Sequence, residues 1–367
     1  MVKQFLWITV GQTLIMSKIL FKSSLSDYFV DISELPWSHH NFTDCFWVVD
    51  SYFKDSNLFP ENTIYVESIE EEKNLATCEE VLFSLANRGC TRHDSIVVVG
   101  GGFLQDVGTL VSSLYMRGLK WIFAPTTLMA MVDSCVGGKS SLNVKSRKNL
   151  VGNFYPPKEI HIFTDFISSL SKIDIASGLL EGIKICFAYD LQVFETFDEH
   201  LRQVIYSKGN LDSTYRALIT QSLQSKKWFL EVDEFDTGER QLLNFGHTFG
   251  HALEAASSYS VPHGIAIGLG MLAAIDFAEG ENDSVLNHLQ ETVRELIYFS
   301  EYAFSGLNQI DKQLFIDAFN SDKKHSQEAY SLILPNKSKL TKKTFSRNPL
   351  MAERVYSAVI TVLDEFN

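Results

Sequence analysis

The residues best suited to chemistry fall in one run, Asn244-Phe245-Gly246-His247-Thr248-Phe249-Gly250-His251. On a helix, His247 and His251 at i, i+4 share one face, the spacing used by metal-binding imidazoles. A third histidine, His263, follows between Pro262 and Gly264. Isolated histidines are mostly surface or core residues. Two at helical spacing with flanking glycines, and a third nearby, point to a metal or catalytic site. The carboxylate that would complete the set is Glu181, which stands with Lys184 in the otherwise apolar run Leu179–Ala188. Burying a bare charge is costly, so Glu181 is expected to be paired or liganding. Imidazole and carboxylate donors with an open position suit Zn²⁺.

A second group is built for anions. Val136-Gly137-Gly138-Lys139 is followed by Arg147-Lys148-Asn149, and glycines beside cations can form an anion-binding loop. Gly100-Gly101-Gly102 ends an apolar run, where a backbone can approach a phosphate at a helix N-terminus, although a tight turn would need the same residues. Lys+Arg total 32 against 45 Asp+Glu, a formal charge of −13. Such a chain lacks the general basic surface that nucleic acid or an anionic membrane requires. Against that background Arg117, Lys139, Lys148, Lys184, Lys226, Arg240 and Lys324 together would neutralise a doubly anionic small molecule.

The elements that must position these groups change texture along the 367 residues. Phe46–Asp50, Asn62–Val66, Ser95–Val99 and Lys120–Ala124 read as strands, and Leu75–Arg88 and Asp106–Met116 as helices. Strand, helix, strand is the pattern of a parallel sheet. Beyond about residue 170 helices dominate: Ala176–Tyr189, Leu211–Val232, Phe245–Ser258, Ala266–Glu279 and Asn282–Tyr302, with Tyr330–Leu334 the main strand. The fold class is therefore an α/β Rossmann-like domain over residues 1–170 and a mainly α-helical domain over 171–367. Five scattered cysteines without a CxxC read as reduced thiols of a cytoplasmic protein. No run of 18 apolar residues predicts a membrane span. The first fifteen residues read equally as an extension ahead of Met16 or as a first strand; Gly11-Gln12-Thr13 breaks the apolar stretch that a signal peptide would need.

The motifs, taken in order, resemble 3-dehydroquinate synthase and the related sugar phosphate cyclases. They are GGGFLQD, YMRG, APTTLMAMVDSCVGGK and KNLVGNF between Gly100 and Phe154, then SGLLEGIK (177–184), ERQLLNFGHTFGHALE (239–254), PHG (262–264) and DKK (322–324). The resemblance covers about residues 45–335. It implies a dehydroquinate synthase-like, NAD-binding domain followed by a helical metal domain, a homodimer, and a reaction in which NAD is regenerated within each turnover. A ring hydroxyl is oxidised, phosphate is eliminated, the ketone is reduced, the ring opens, and an aldol closure makes a carbocycle.

Carried over position by position, the resemblance implies Glu181, His247 and His263 as ligands of Zn²⁺ or Co²⁺. It implies His251, Lys139, Asn149, Asn244 and Lys324 around the phosphate, with Arg117 contributed by the partner. Asp133 and Lys184 would contact substrate hydroxyls, and Lys226 and Arg240 the carboxylate of a phosphorylated keto sugar acid. For NAD it implies Asp50, Glu70, Lys73, Gly101, Gly102, Asp106, Thr126, Thr127 and Lys148. Gln105 departs from the family glycine before Asp106, which predicts a side chain intruding on the nucleotide turn. Retention of both Lys226 and Arg240 favours the keto acid over the neutral substrates of sister cyclases. The VGGK and KNLVG runs argue against a metal-dependent alcohol dehydrogenase, and the surviving polar set argues against a non-catalytic scaffold.

Overall fold

The computed structural model describes residues 18–39, 42, 44–145, 147–278, 283–304 and 310–366. The alternatives for the first fifteen residues lie outside these. Seven strands form one sheet in the order β1-β2-β9-β6-β5-β3-β4. They are β1 (Lys18–Phe21), β2 (Tyr28–Ile32), β3 (Cys45–Asp50), β4 (Ile64–Val66), β5 (Ser95–Gly100), β6 (Lys120–Pro125) and β9 (Glu159–Ile162). Only β1 runs antiparallel to its neighbour; the other pairings are parallel. In β5 every residue from Ile96 to Gly100 is buried, as a central parallel strand covered on both faces must be. Helices α1 (Leu75–Asn87) and α2 (Gly102–Leu114) connect the strands. A short hairpin, β7 (Leu142–Val144) with β8 (Arg147–Val151), stands apart from the sheet.

Helix α2 begins at Gly102, four residues before the sequence periodicity suggests, because Gly101 caps it in extended geometry and glycines carry no apolar signal to read. Gln105 is likewise not where the sequence placed it. Its buried amide donates to the Ser134 carbonyl at 2.5 Å and accepts from the Ser134 hydroxyl at 2.8 Å. No Gln105 side-chain atom lies within 4 Å of where a Gly102 side chain would start.

From Lys172 the chain is mainly helical: α3 (Lys172–Tyr189), α4 (Leu191–Tyr206), α5 (Asp212–Val232), α6 (His247–Ala256), α7 (His263–Phe277), α8 (Ser284–Phe299), α9 (Lys312–Asn320) and α10 (Pro349–Asp364). The expected lone strand near residue 330 is half of a hairpin, β10 (Ala329–Asn336) with β11 (Lys339–Ser346). No helix among the described residues is long and apolar enough to cross a membrane, and all five cysteines are unpaired.

Helix α3 starts at a capping box formed by Ser171 and Asp174. It is buried without interruption from Ala176 to Phe187, so it is the axis around which α4, α5, α7 and α8 pack. Helix α7 comes unusually close to it. A Cβ on Gly264 would stand 2.3 Å from the Cα of Ser177, so only glycine fits at this crossing. Replacing Gly264 by Ala should force the two helices apart and cost about 1–3 kcal/mol or more, the usual penalty of overpacking. Thermal denaturation of the metal-free chain checks this, and an unchanged midpoint would contradict it.

Candidate functional site

Three helices bring the metal-type residues together. Glu181 comes from the middle of α3, His247 and His251 from the first two turns of α6, and His263 is the first residue of α7. The sequence placed His247 inside a longer helix. In the structure it opens α6, directly after Gly246 in a left-handed conformation at φ 77°, where only glycine sits without strain. One ring nitrogen each of His247, His251 and His263 lies within 4.8 Å of the others.

Glu181 is buried, and its two oxygens differ. Oε2 accepts from Lys184 Nζ, also buried. Oε1 has no hydrogen-bond partner and faces His263 Nε2 at 3.5 Å and His247 Nε2 at 3.8 Å. A buried carboxylate oxygen aimed at two imidazoles, too far for a good hydrogen bond, is what a cation between them would satisfy. The donor set therefore fits a divalent metal. Burial and then Lys184 hold the His247 imidazole well below its ordinary value. Burial and Lys324 do the same to His251. Desolvation also acts on His263, but the carboxylates of Glu181 and Glu254 overcome it and raise this imidazole to about 10.

Five of the predicted substrate cations, Lys139, Lys184, Lys226, Arg240 and Lys324, converge beside this cluster, and all but Arg240 have an acid partner. Lys226 Nζ lies 2.6 Å from Asp133 Oδ1 and donates to the Asp133 carbonyl at 2.6 Å. Burial would raise the Asp133 carboxyl, yet Lys226 and Lys184 hold it down at about 2. Burial lowers the Lys226 ammonium despite that partner. Lys139 pairs with Asp236 at 3.0 Å and Lys324 with Asp322 at 3.2 Å. Arg240 is 6% exposed and donates to the Glu234 carbonyl. It meets no carboxylate at ion-pair distance among the described residues. Asn244 donates to the Gln241 carbonyl at 3.1 Å. Sequence reasoning gave no role to Asp236, Asp322 and Glu254, although Asp322 and Glu254 fall within the DKK and ERQLLNFGHTFGHALE runs.

Two predicted groups sit differently from expectation. Asn149, assigned to the phosphate, has φ 53°; its amide oxygen accepts from Lys73 at 3.2 Å and from Ser141 at 2.9 Å. It thus joins the nucleotide side of the cleft. Arg117 follows α2 at φ 72° and makes no hydrogen bond or ion pair among the described residues.

The remaining residues gather at the carboxyl ends of parallel strands, where ligands of open α/β sheets bind. Asp50 ends β3, Gly101 and Gly102 follow β5, and Thr126 and Thr127 follow β6. Glu70 and Lys73 lie just beyond β4. A Cβ on Gly101 would press within 3.0 Å of Thr127, so the bare backbone at the start of α2 is a cradle that a side chain would fill. That fits a dinucleotide phosphate. Lys73 and Asp106 pair with each other at 2.6 Å. Asp106 also accepts from the Ser141 backbone at 3.0 Å, and Lys148 reaches Glu70 at 3.6 Å.

Comparison with known proteins agrees with this arrangement. The N-terminal and C-terminal family models of 3-dehydroquinate synthase match residues 63–177 and 178–325. The 3-dehydroquinate synthase of Clostridium tetani (strain Massachusetts / E88) is 34% identical over 78% of this chain and 77% of its own. Among solved structures, a 2-deoxy-scyllo-inosose synthase complexed with carbaglucose-6-phosphate, NAD⁺ and Co²⁺ has a TM-score of 0.74 at 19% identity, covering 95% of this chain and 100% of that one. The 2-epi-5-epi-valiolone synthase ValA from Streptomyces hygroscopicus subsp. jinggangensis 5008, with NAD⁺ and Zn²⁺ bound, has a TM-score of 0.75 at 21% identity, covering 92% and 97%. At these identities the two structures speak to the fold alone: the Rossmann-like sheet followed by a helical unit. With both family models matched in sequence order, and a relative one-third identical over most of both chains, this chain belongs to the 3-dehydroquinate synthase family.

Proposed function

We propose that the chain converts 3-deoxy-arabino-heptulosonate 7-phosphate to 3-dehydroquinate with release of phosphate, using NAD and a divalent metal, Zn²⁺ or Co²⁺. The observation that carries this choice of substrate is Arg240, a buried guanidinium that meets no carboxylate at ion-pair distance among the described residues. An anionic substrate group would complete it, and a neutral sugar would leave it uncompensated.

The part up to about residue 170 holds the nucleotide at Asp50, Glu70, Lys73, Gly101, Gly102, Asp106, Thr126, Thr127 and Lys148, and the helical part from 171 holds the metal through Glu181, His247 and His263. When bound, NAD⁺ supplies a hydride acceptor and the metal a Lewis acid that acidifies a ring hydroxyl. The residues of the chain do the positioning. Arg240 presents a planar fork to the substrate carboxylate. The Lys226 ammonium has three donors, two of them directed at Asp133, which leaves one for the substrate. Asp133 and Lys184 orient the ring hydroxyls. Lys139, Asn244, His251 and Lys324 bind the leaving phosphate, and the positive charge of the two lysines stabilises the departing anion. Arg117 completes this pocket in the partner of a homodimer. Its free side chain and the exposed apolar Leu114 and Met116 beside it support that reading, and the unpaired thiols suit the cytoplasm.

Purified protein with NAD⁺, Zn²⁺ and the keto sugar acid phosphate should release phosphate and form the carbocycle with no net NADH. A neutral hexose phosphate turned over faster would replace the proposed substrate. Arg240→Ala should lower kcat/KM by about 10–100-fold, the loss of one or two charge-assisted hydrogen bonds, with thermal stability and NAD binding little changed. Arg240→Lys should recover part of the loss. Undiminished turnover of the keto acid by Arg240→Ala would contradict the role given to this residue. His263→Ala should lose stoichiometric metal and activity together, as measured by elemental analysis and phosphate release; full metal content in that variant would remove His263 from the ligand set.

A further inference from the structure

Three imidazoles crowd one spot, yet the proposed metal set uses two of them with Glu181. Glu254 distinguishes them. It lies on α6, one turn beyond His251, and only 13% of its side chain is exposed. Its Oε1 is 3.1 Å from His263 Nδ1. Its Oε2 is 4.0 Å from His251 Nε2. An ionised carboxylate has only acceptor sites, so the His263 nitrogen facing it must carry a hydrogen. In the neutral ring that binds a metal, this leaves the lone pair on Nε2, which faces Glu181 Oε1 at 3.5 Å, so that a cation between the two would be shared by them. The backbone holds Glu254 in turn: its carbonyl accepts from the Tyr259 N–H at 2.7 Å in the turn that closes α6.

We infer that Glu254 is a positioning residue that selects the metal ligands, fixing His263 with Nε2 toward the metal while drawing the Nε2 of His251 away from it. His251 is then kept for the anionic substrate. Carboxylates behind metal-ligating imidazoles act in this manner generally, and their loss costs about 10–100-fold in metal affinity. The inference rests on the metal reading of Glu181, His247 and His263, and its test separates the two.

The probe is Co²⁺ alone, titrated into the full chain against a chelator and followed by visible absorption. Glu254→Ala should weaken Co²⁺ binding by about 10–100-fold and alter the absorption bands, while the circular dichroism of the metal-free protein stays the same. Glu254→Gln keeps an acceptor oxygen in place and should recover part of the affinity; it carries the test if the alanine variant does not fold. In the parent chain His251→Ala should leave Co²⁺ affinity unchanged, whereas in the Glu254→Ala background it should shift the bands again. Parent-like affinity and spectrum in both Glu254 variants would overturn the selection by Glu254, as would loss of Co²⁺ from the single His251→Ala variant. A parent chain that takes up no Co²⁺ would overturn the metal reading itself.

Discussion

A single buried carboxylate organises the helical half of this protein. Glu181 lies in the middle of a helix that is buried from Ala176 to Phe187, where an unpaired charge costs several kcal/mol. Lys184 answers one of its oxygens, and the other is left open toward His247 and His263. Stability gives no reason for this arrangement, since well-packed apolar residues in place of a buried ion pair are often neutral or stabilising. The surrounding packing serves it nonetheless. Glycine contacts at Gly264 against Ser177, and at Gly270 against the Gly246 carbonyl, draw α7 to α3 and α6. The first residues of two helices thereby meet the middle of a third.

The same logic governs the cations. An acidic chain gathers Lys139, Lys184, Lys226, Arg240 and Lys324 into one cleft and pairs four of them with Asp236, Glu181, Asp133 and Asp322. Unpaired, these ammonium groups would repel one another, and burial lowers Lys226 and Lys324 even with their acids in place. Paired, they are held in place before any substrate arrives, so little reorganisation is left for the reaction. Of the five, Arg240 alone meets no carboxylate at ion-pair distance among the described residues, which leaves its planar fork for an external anion.

Legibility in the sequence followed the range of the interactions. The β5–α2–β6 unit was readable because β-branched runs and a glycine turn are local signals. Helix starts were read late at Gly102 and His263, where a glycine in the first turn weakens the helical signal. Strand β9, only four residues with alternating exposure, and the lysine-rich β11 gave no strand signal of their own. They form because β2 and β6, or β10, offer them partners. At the site, the histidines and Glu181 stood out through their helical spacing and apolar setting. The Lys226–Asp133 contact spans 93 positions and Lys139–Asp236 spans 97, so no local pattern could reveal them. Glu254 was hidden for another reason. A glutamate on an amphipathic helix is ordinary until a histidine nine positions on folds back against it.

One further contact ties the two cofactor regions together. Lys148, on β8 beside the nucleotide residues, places its ammonium 3.3 Å from the centroid of the Tyr259 ring and within 3.6 Å of Glu70. Tyr259 occupies a left-handed turn with Ser258, at φ 60° and 52°, and its N–H is bound to the Glu254 carbonyl. A cation–π contact at a partly exposed site is worth about 0.5–1 kcal/mol, enough to set an orientation and too little to lock it. The hairpin beside the nucleotide residues and the helix end that carries Glu254 are therefore aligned by a weak tie, while the ion pairs Lys226–Asp133 and Lys139–Asp236 join the same two parts more firmly elsewhere.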